Sequence, residues 1–288
     1  MRSILFVLLI NTVALNAQKL ETIIYYEKEG NDIVYYADNL ELGTISLLFE
    51  AELIEMESSA GKDFFIVMPG LSKRNFVTKL TAIGNRKMSF KVKTKAVYGD
   101  LGKTKYDNLL LDLPFKSGLS YKIFQGYNGR ETHRGENSLD FGLKIGDEIH
   151  AAFGGKVVKI EQGNSGRCAR PECAENNNYV VIEHQDGSFA EYVHIIKNGA
   201  RVKIGEEVKA GQLIAISGDV GYATGPHLHF SVFIPDKSGR KTIKTKFKIN
   251  DGNKSEFLED QRTYLKNYKI VFYPNDECKV DVMSRNDF

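Results

Sequence analysis

Two histidines one residue apart, His227 and His229 in Gly225-Pro226-His227-Leu228-His229-Phe230, are the densest group of metal- and proton-handling side chains in a 288-residue sequence that holds six histidines. In an extended strand residues i and i+2 share a face, so both imidazoles project to one side while Leu228 and Phe230 take the other. On its own this pair fits a strand with two solvent-facing histidines as well as it fits a reactive site. The other histidines decide between the two.

Upstream, Thr132-His133-Arg134-Gly135-Glu136-Asn137-Ser138-Leu139-Asp140-Phe141 sets an imidazole and a carboxylate seven positions apart. The polar residues between them suit a loop, and Leu139-Asp140-Phe141 suits the start of a strand, so the chain can bring both groups to one ion. His194 ends a run that returns from an Asp-Gly turn at Asp186-Gly187. His184, beside that turn, reads as a surface histidine. One aspartate and four histidines, His133, Asp140, His194, His227 and His229, therefore fall on strand and loop positions. A catalytic zinc takes three protein ligands of N or O type and leaves a fourth position for water. Such a site lowers the pKa of the water toward about 7 and polarises a carbonyl. Three of the five residues suffice for the ion, and two histidines remain to move protons and to stabilise an oxyanion.

The elements that must hold these side chains are strands. From about Tyr121 glycines become frequent and helical periodicity is nearly absent. Gly146 to Ile160 reads as strand, turn and strand; Tyr179 to Glu183 and Phe189 to Ile195 as a hairpin; Val202 to Ile214 as two short strands around glycines; and Ser217 to Thr224 as a loop entering the paired-histidine strand. Before it, Thr22 to Tyr26, Ile33 to Tyr36, Thr44 to Leu53, Phe64 to Met68, Asn75 to Ile83 and Met88 to Tyr98 are apolar-alternating runs at roughly ten-residue intervals, the pattern of a small immunoglobulin-like sandwich. That stretch holds neither histidine nor cysteine. In the tail, Thr242 to Ile249 suits a strand, and Phe257, Leu258, Leu265 and Tyr268 suit a short helix over Ser255 to Tyr268.

Net charge is +2 with 26% charged residues, so no large basic field points to nucleic acid. Met1-Arg2-Ser3, the apolar run Ile4 to Ile10 and the small residues up to Ala17 read as a cleaved signal peptide. The run is short for a membrane span of about 20 residues. The expected mature protein is exported, periplasmic or secreted, with no transmembrane segment. An oxidising compartment then favours a disulfide between Cys168 and Cys173 in the loop Gly163 to Asn177. Zinc on these cysteines is the alternative, with Cys278 as the third candidate.

The His133 to Asp140 motif, Glu191-Tyr192-Val193-His194 and Gly225-Pro226-His227-Leu228-His229-Phe230, in this order, resemble the signature set of the lysostaphin/LytM-type zinc metallopeptidases, which cut peptide bonds in bacterial peptidoglycan. The likeness runs from about Tyr121 to Val232. It implies one zinc ion per chain held by His133, Asp140 and His229, with His194 and His227 as the catalytic histidines. It implies an endopeptidase of peptidoglycan cross-links or bridges in which zinc-bound water attacks the scissile carbonyl. The loop between His133 and Asp140 is longer than in many members, and His150 stands where the family usually has an apolar residue. The expected fold is all-β: a signal peptide over 1–17, a β-sandwich over 18–112, a glycine-cornered antiparallel LytM-like sheet over 113–240, related in shape to biotinyl and lipoyl domains, and an extension over 241–288 packing on it. A catalytically silent module of the same fold, which binds cell wall or regulates another hydrolase, is the alternative. A lysine-modified carrier domain would need a Met-Lys-Met-like hairpin tip, and the segment 202–212 has none.

Overall fold

A computed structural model of the chain describes residues 7–8, 20–84, 86–103, 106, 109–272 and 278–282. Apart from residues 7–8, the expected signal peptide lies outside this set. Among the described residues the regular elements are strands, apart from one 3-10 segment at Pro171–Asn176, so the molecule is all-β as its alternating pattern predicts. Among them, no helix is long and apolar enough to cross a membrane. Contacts divide the chain into two compact units, Met1–Thr104 with Pro235–Arg240, and Lys105–Ile234 with Lys241–Phe288.

The first unit contains β1 (Thr22–Glu29), β2 (Asp32–Asn39), β3 (Ile45–Ile54), β4 (Met56–Ser58), β5 (Asp63–Met68), β6 (Asn75–Ala82) and β7 (Ser89–Tyr98). They form two antiparallel sheets, ordered β1-β2-β6-β4 and β5-β3-β7. On β3 the period of two is plain: Ile45, Leu47 and Phe49 are fully buried while Glu50 and Glu52 are exposed. Tyr35 of one sheet meets Phe49 of the other edge-on, with ring centroids 5.4 Å apart. That contact joins the sheets into a sandwich.

The second unit is built on β8 (Ser120–Gln125), β9 (Ser138–Phe141), β10 (Gly155–Glu161), β11 (Tyr179–Glu183), β12 (Phe189–Val193), β13 (Glu207–Val208), β14 (Leu228–Asp236) and β15 (Thr263–Leu265). Their order in one antiparallel sheet is β13-β10-β11-β12-β14-β9-β8-β15, with Gly239–Ile243 paired to β14. A glycine is required where β10 starts: a Cβ on Gly155 would lie 2.3 Å from the Glu183 carbonyl oxygen. Alternate residues of three central strands, Leu139 and Phe141, Ala190 and Tyr192, and Leu228, Phe230 and Val232, enter a common core. Phe230 packs edge-on against both Tyr192 and Phe247, at 5.1 and 5.8 Å. Burying each such ring stabilises the fold by about 1.5–3 kcal/mol. The same burial fixes the register, because a one-residue slip would turn every ring outward.

Two expectations are corrected here. Ser255 to Tyr268 is not a helix: it forms Lys254–Glu256, a turn, and β15. Gln261 has a φ of +61°, which ends any helix at that point. The chain turns there because β8 offers an edge; Gln261 N donates to Ile123 O and Ile123 N to Arg262 O, so the strand acquires partners on both sides. His184 is not a surface residue but 2% exposed; its Nδ1 donates to the Gly154 carbonyl at 2.8 Å and its ring lies edge-on to Phe153.

Lys246–Ile249 pairs with Leu110–Leu111, and Phe247, Ile249, Leu258 and Tyr264 sit in the same core as Leu109, Leu111 and Leu113. Beside this pairing a charged cluster is buried. Lys248 Nζ lies 3.4 Å from Asp112 Oδ1, Lys266 Nζ donates to the Leu113 carbonyl at 2.8 Å, and Tyr268 Oη donates to the Lys248 carbonyl at 3.2 Å. Burial pushes Lys266 down to about 8, against the pull of Asp112. Burial likewise raises Asp112.

Candidate metal centre

The sheet register places the first two groups. Asp140 on β9 is the cross-strand partner of His229 on β14, and Val193 on β12 partners His229 from the other side. Because their neighbours Leu139, Phe141, Leu228 and Phe230 all point into the core, Asp140 and His229 share the opposite face. His133 reaches them from the loop between β8 and β9. Its Nδ1 donates to Gly126 O at 3.0 Å, which fixes the ring and leaves Nε2 facing the pair. His133 Nε2 is 3.2 Å from Asp140 Oδ1 and 3.2 Å from His229 Nδ1, and His229 Nδ1 is 3.0 Å from Asp140 Oδ1.

Three donor atoms thus converge, each from a different segment. Tetrahedral bonds of about 2.0–2.2 Å set ligand atoms about 3.3–3.6 Å apart. The spacing found is a few tenths of an ångström tighter, which small side-chain movements relieve. The set is two imidazoles and one carboxylate, the chemistry of a catalytic zinc site. Side-chain exposure is 1% at His133, 12% at Asp140 and 22% at His229, so the group opens on the His229 side.

The charges fit the same picture. Burial opposes a proton on His133, yet the adjoining Asp140 carboxylate outweighs it and raises that imidazole above its usual pKa. Burial pushes Asp140 up, but hydrogen bonds from His133 and His229 prevail and hold it well below the carboxylate range.

His194 and His227 lie side by side, ring centroids 4.6 Å apart, and His194 is 6.2 Å from His229 by the same measure. The alternation along β12 stops at Val193. His194 takes a φ of +69°, unusual without glycine, and donates from Nδ1 to Val220 O at 2.8 Å. Asn178 O accepts its backbone N–H at 2.9 Å. His227 donates from Nδ1 to Gly225 O at 2.9 Å, and its Nε2 stands 3.7 Å from Asp140 Oδ1. In both rings the bond at Nδ1 leaves Nε2 free for other chemistry. Burial, with the repulsion that a proton on either His227 or His229 would add, pushes His194 down to about 3, and burial lowers His227 as well. Both are neutral near pH 7.

All five residues expected from the sequence are therefore in one cluster. Comparison with known proteins bears on what that cluster belongs to. Residues 134–242 match peptidase family M23. The second unit carries an M23 peptidase domain. An uncharacterized metalloprotease of Buchnera aphidicola is 24% identical over 280 residues, 88% of this chain and 69% of its own length, so that likeness extends well beyond the M23 stretch. The peptidoglycan DD-endopeptidase ShyB of Vibrio cholerae is 31% identical over 146 residues, and the glycyl-glycine endopeptidase ALE-1 of Staphylococcus capitis 36% over 118. These matches take 48% and 40% of this chain but only 32% and 28% of those proteins. Among solved structures, the catalytic domain of lysostaphin from Staphylococcus simulans matches 44% of the chain and 88% of its own at 30% identity, with a TM-score of 0.31.

Around this cluster other histidines serve the fold. His150 Nδ1 donates to Gly211 O at 2.7 Å while Nε2 lies 3.0 Å from Glu148 Oε2, so both its nitrogens are engaged elsewhere. The expected disulfide joins Cys168 to Cys173, with Cα atoms 6.2 Å apart. The Cys278 side chain lies outside the described residues. Arg167 and Cys168 pair in parallel with Gly221 and Tyr222, beside the Val220 carbonyl that receives His194. Sequence reading missed the residues that hold the site from behind, Asn178 and Gln125. Their only sequence signal is a polar residue at the end of a strand or directly before one.

Proposed function

We propose that this chain is an exported zinc endopeptidase that hydrolyses peptide bonds in the cross-links or bridge peptides of bacterial peptidoglycan. The observation that carries this reading is the convergence of His133 Nε2, Asp140 Oδ1 and His229 Nδ1 within 3.2 Å of one another, with His194 and His227 alongside. The names of two relatives, one acting on DD bonds and one on glycyl-glycine bonds, support peptidoglycan as the substrate class.

In this reading His133, Asp140 and His229 hold one zinc ion, and His194 and His227 are the catalytic residues. Zinc, when bound, acts as a Lewis acid toward the scissile carbonyl and makes water acidic enough to be a nucleophile near neutral pH. The protein supplies the rest. Asp140 contributes the negative charge that offsets a divalent cation. His194 and His227, kept neutral by burial, offer Nε2 lone pairs able to take a proton from the attacking water. Once protonated, either ring donates a hydrogen bond to the oxygen that becomes negative as the carbonyl carbon turns tetrahedral, and then returns the proton to the leaving amine. The bonds to Val220 O and Gly225 O hold each ring in the tautomer this task needs. Residues 1–17 are the export signal in this scheme, and the sandwich of the first unit precedes in sequence a peptidase domain carried by the second.

The test is digestion of purified sacculi by the mature protein. Soluble peptides with new amino groups are expected, lost with a chelator and restored by zinc, and their masses identify the bond. A zinc-loaded protein that co-sediments with sacculi yet releases nothing is a binding module, and the proposal fails.

A further inference from the structure

We propose that Gln125 is the positioning residue of the metal centre: one side-chain amide fixes both the Asp140 carboxylate and the loop carrying His133, and so sets the affinity of the site for zinc. The inference rests on the ligand set proposed above.

Gln125 is the cross-strand partner of Asp140 on the side away from His229, so Gln125, Asp140 and His229 form one row across β8, β9 and β14. It is 8% exposed, and every bonding position of its amide is taken. Oε1 accepts from the backbone N–H groups of Glu131 and Thr132 at 3.0 and 3.1 Å. Nε2 donates to Thr132 Oγ1 at 2.7 Å and to Asp140 Oδ2 at 3.1 Å. Two donors and two acceptors are thereby satisfied, and the orientation of the amide follows from chemistry: a flip would set its oxygen against a carboxylate and its NH2 against two N–H groups.

The consequences reach two of the three ligands. Asp140 presents Oδ1 to His133 and His229 because Oδ2 is already held by Gln125. Glu131 and Thr132 directly precede His133, so the same amide fixes the backbone from which that imidazole extends. Packing locks the amide in turn: a Cβ on Gly129 would lie 2.5 Å from Gln125 Cγ and 2.8 Å from Oε1. A group that orients a ligand in this way typically changes metal affinity by roughly 10- to 100-fold when removed.

The experiment measures the zinc dissociation constant of the full chain by competition with a chromogenic chelator, for the wild type, Gln125→Glu, Gln125→Met and Asp140→Ala. Glutamate keeps the acceptor for the Glu131 and Thr132 N–H groups and loses the donor to Asp140; the Thr132 hydroxyl, which accepted the other donor, can turn to donate to the new carboxylate. Both Gln125 variants are expected to bind zinc roughly 10- to 100-fold more weakly, with a shifted cobalt(II) absorption spectrum and the circular dichroism of the metal-free wild type. On the wild type itself, the Gln125 side-chain NH2 resonances are expected to shift on zinc addition, a readout that needs no variant to fold. If Asp140→Ala loses zinc while Gln125→Glu binds it as the wild type does, or if the NH2 resonances do not move, Gln125 has no such role. If Asp140→Ala binds zinc normally, the ligand set itself is wrong.

Discussion

Asp112, Lys248, Lys266 and Tyr268 form one buried polar cluster of the second unit, and His133, Asp140 and His229 form another. Both bury an aspartate against cationic or potentially cationic groups. In the first, Lys266 ends on the Leu113 carbonyl, Tyr268 on the Lys248 carbonyl and Lys248 beside the Asp112 carboxylate, so its donors are spent within the cluster and on backbone acceptors across the pairing of residues 110–111 with 246–247. In the second, the outward bonds at Gly126 and Gln125 are spent behind the group, and three atoms with lone pairs are left aimed at one point. A closed cluster fastens chain segments; an open one waits for a charge. Perturbed titration alone does not separate them, since both clusters shift pKa values. The direction of the remaining lone pairs does.

The strongest way to break the contrast is to remove a group from the open cluster. His229→Ala should abolish stoichiometric zinc and lower peptide release on the order of 10³-fold or more, since the whole Lewis-acid contribution goes with the ion. Metal analysis beside a turnover assay checks it, and a variant that keeps both refutes the ligand assignment. Removing the closed cluster's aspartate has the opposite profile. Asp112→Ala leaves Lys266 buried without its counter-charge and should cost about 3–5 kcal/mol in denaturant unfolding, while the folded fraction binds zinc as the wild type does. Between these lies His194→Ala, expected to retain zinc and to lose turnover by about 10²–10³-fold, as for loss of one oxyanion donor. Loss of zinc in that variant would make His194 a ligand.

What could be read from the sequence follows the same division. Strand periodicity located β1 to β3 and β5 to β7 closely, and the two faces of β9 and β14, because a period of two is a local property of the chain; the three-residue β4 is too short to show one. The clustering of His133, Asp140, His194, His227 and His229 was legible because imidazoles are rare in this sequence and their ordered motifs resemble a known family. His184 was misjudged: its burial depends on Gly154 and Phe153, thirty residues away in sequence and invisible to a local pattern. The tail was read as a helix because Phe257, Leu258, Leu265 and Tyr268 have helical spacing, whereas the edge of β8 recruits the segment as a strand. Gln125 carries only the weakest sequence signal, a polar residue at the end of a strand. A lone glutamine on a strand becomes informative only once its partners are known.

Acidity should separate the two clusters further. The raised pKa of His133 means that a proton competes for Nε2 already above pH 6.5, so zinc affinity should fall as pH drops through the neutral range, by up to about tenfold per pH unit for each proton displaced. Chelator competition between pH 8 and 6 measures the slope, and a flat profile would contradict the coupling to Asp140.

The closed cluster should respond at the alkaline end instead, with the smallest effect. Lys266 titrates at about 8 in the folded chain against a usual value of 10.5. Between those values the unfolded chain binds the extra proton, so the unfolding free energy rises with pH there and is flat below about 8. Substituting Lys266→Met removes the titrating group, and the wild type should gain stability relative to this variant as pH goes from 8 to 10. Parallel denaturant series at the two pH values measure the difference. A gain would mean that the ammonium is tolerated in the closed cluster rather than required by it, and that the Leu113 carbonyl holds the amine in either state. No gain would mean that Asp112 holds Lys266 charged throughout, which would make the cluster a buried ion pair that fastens the C-terminal strands by charge.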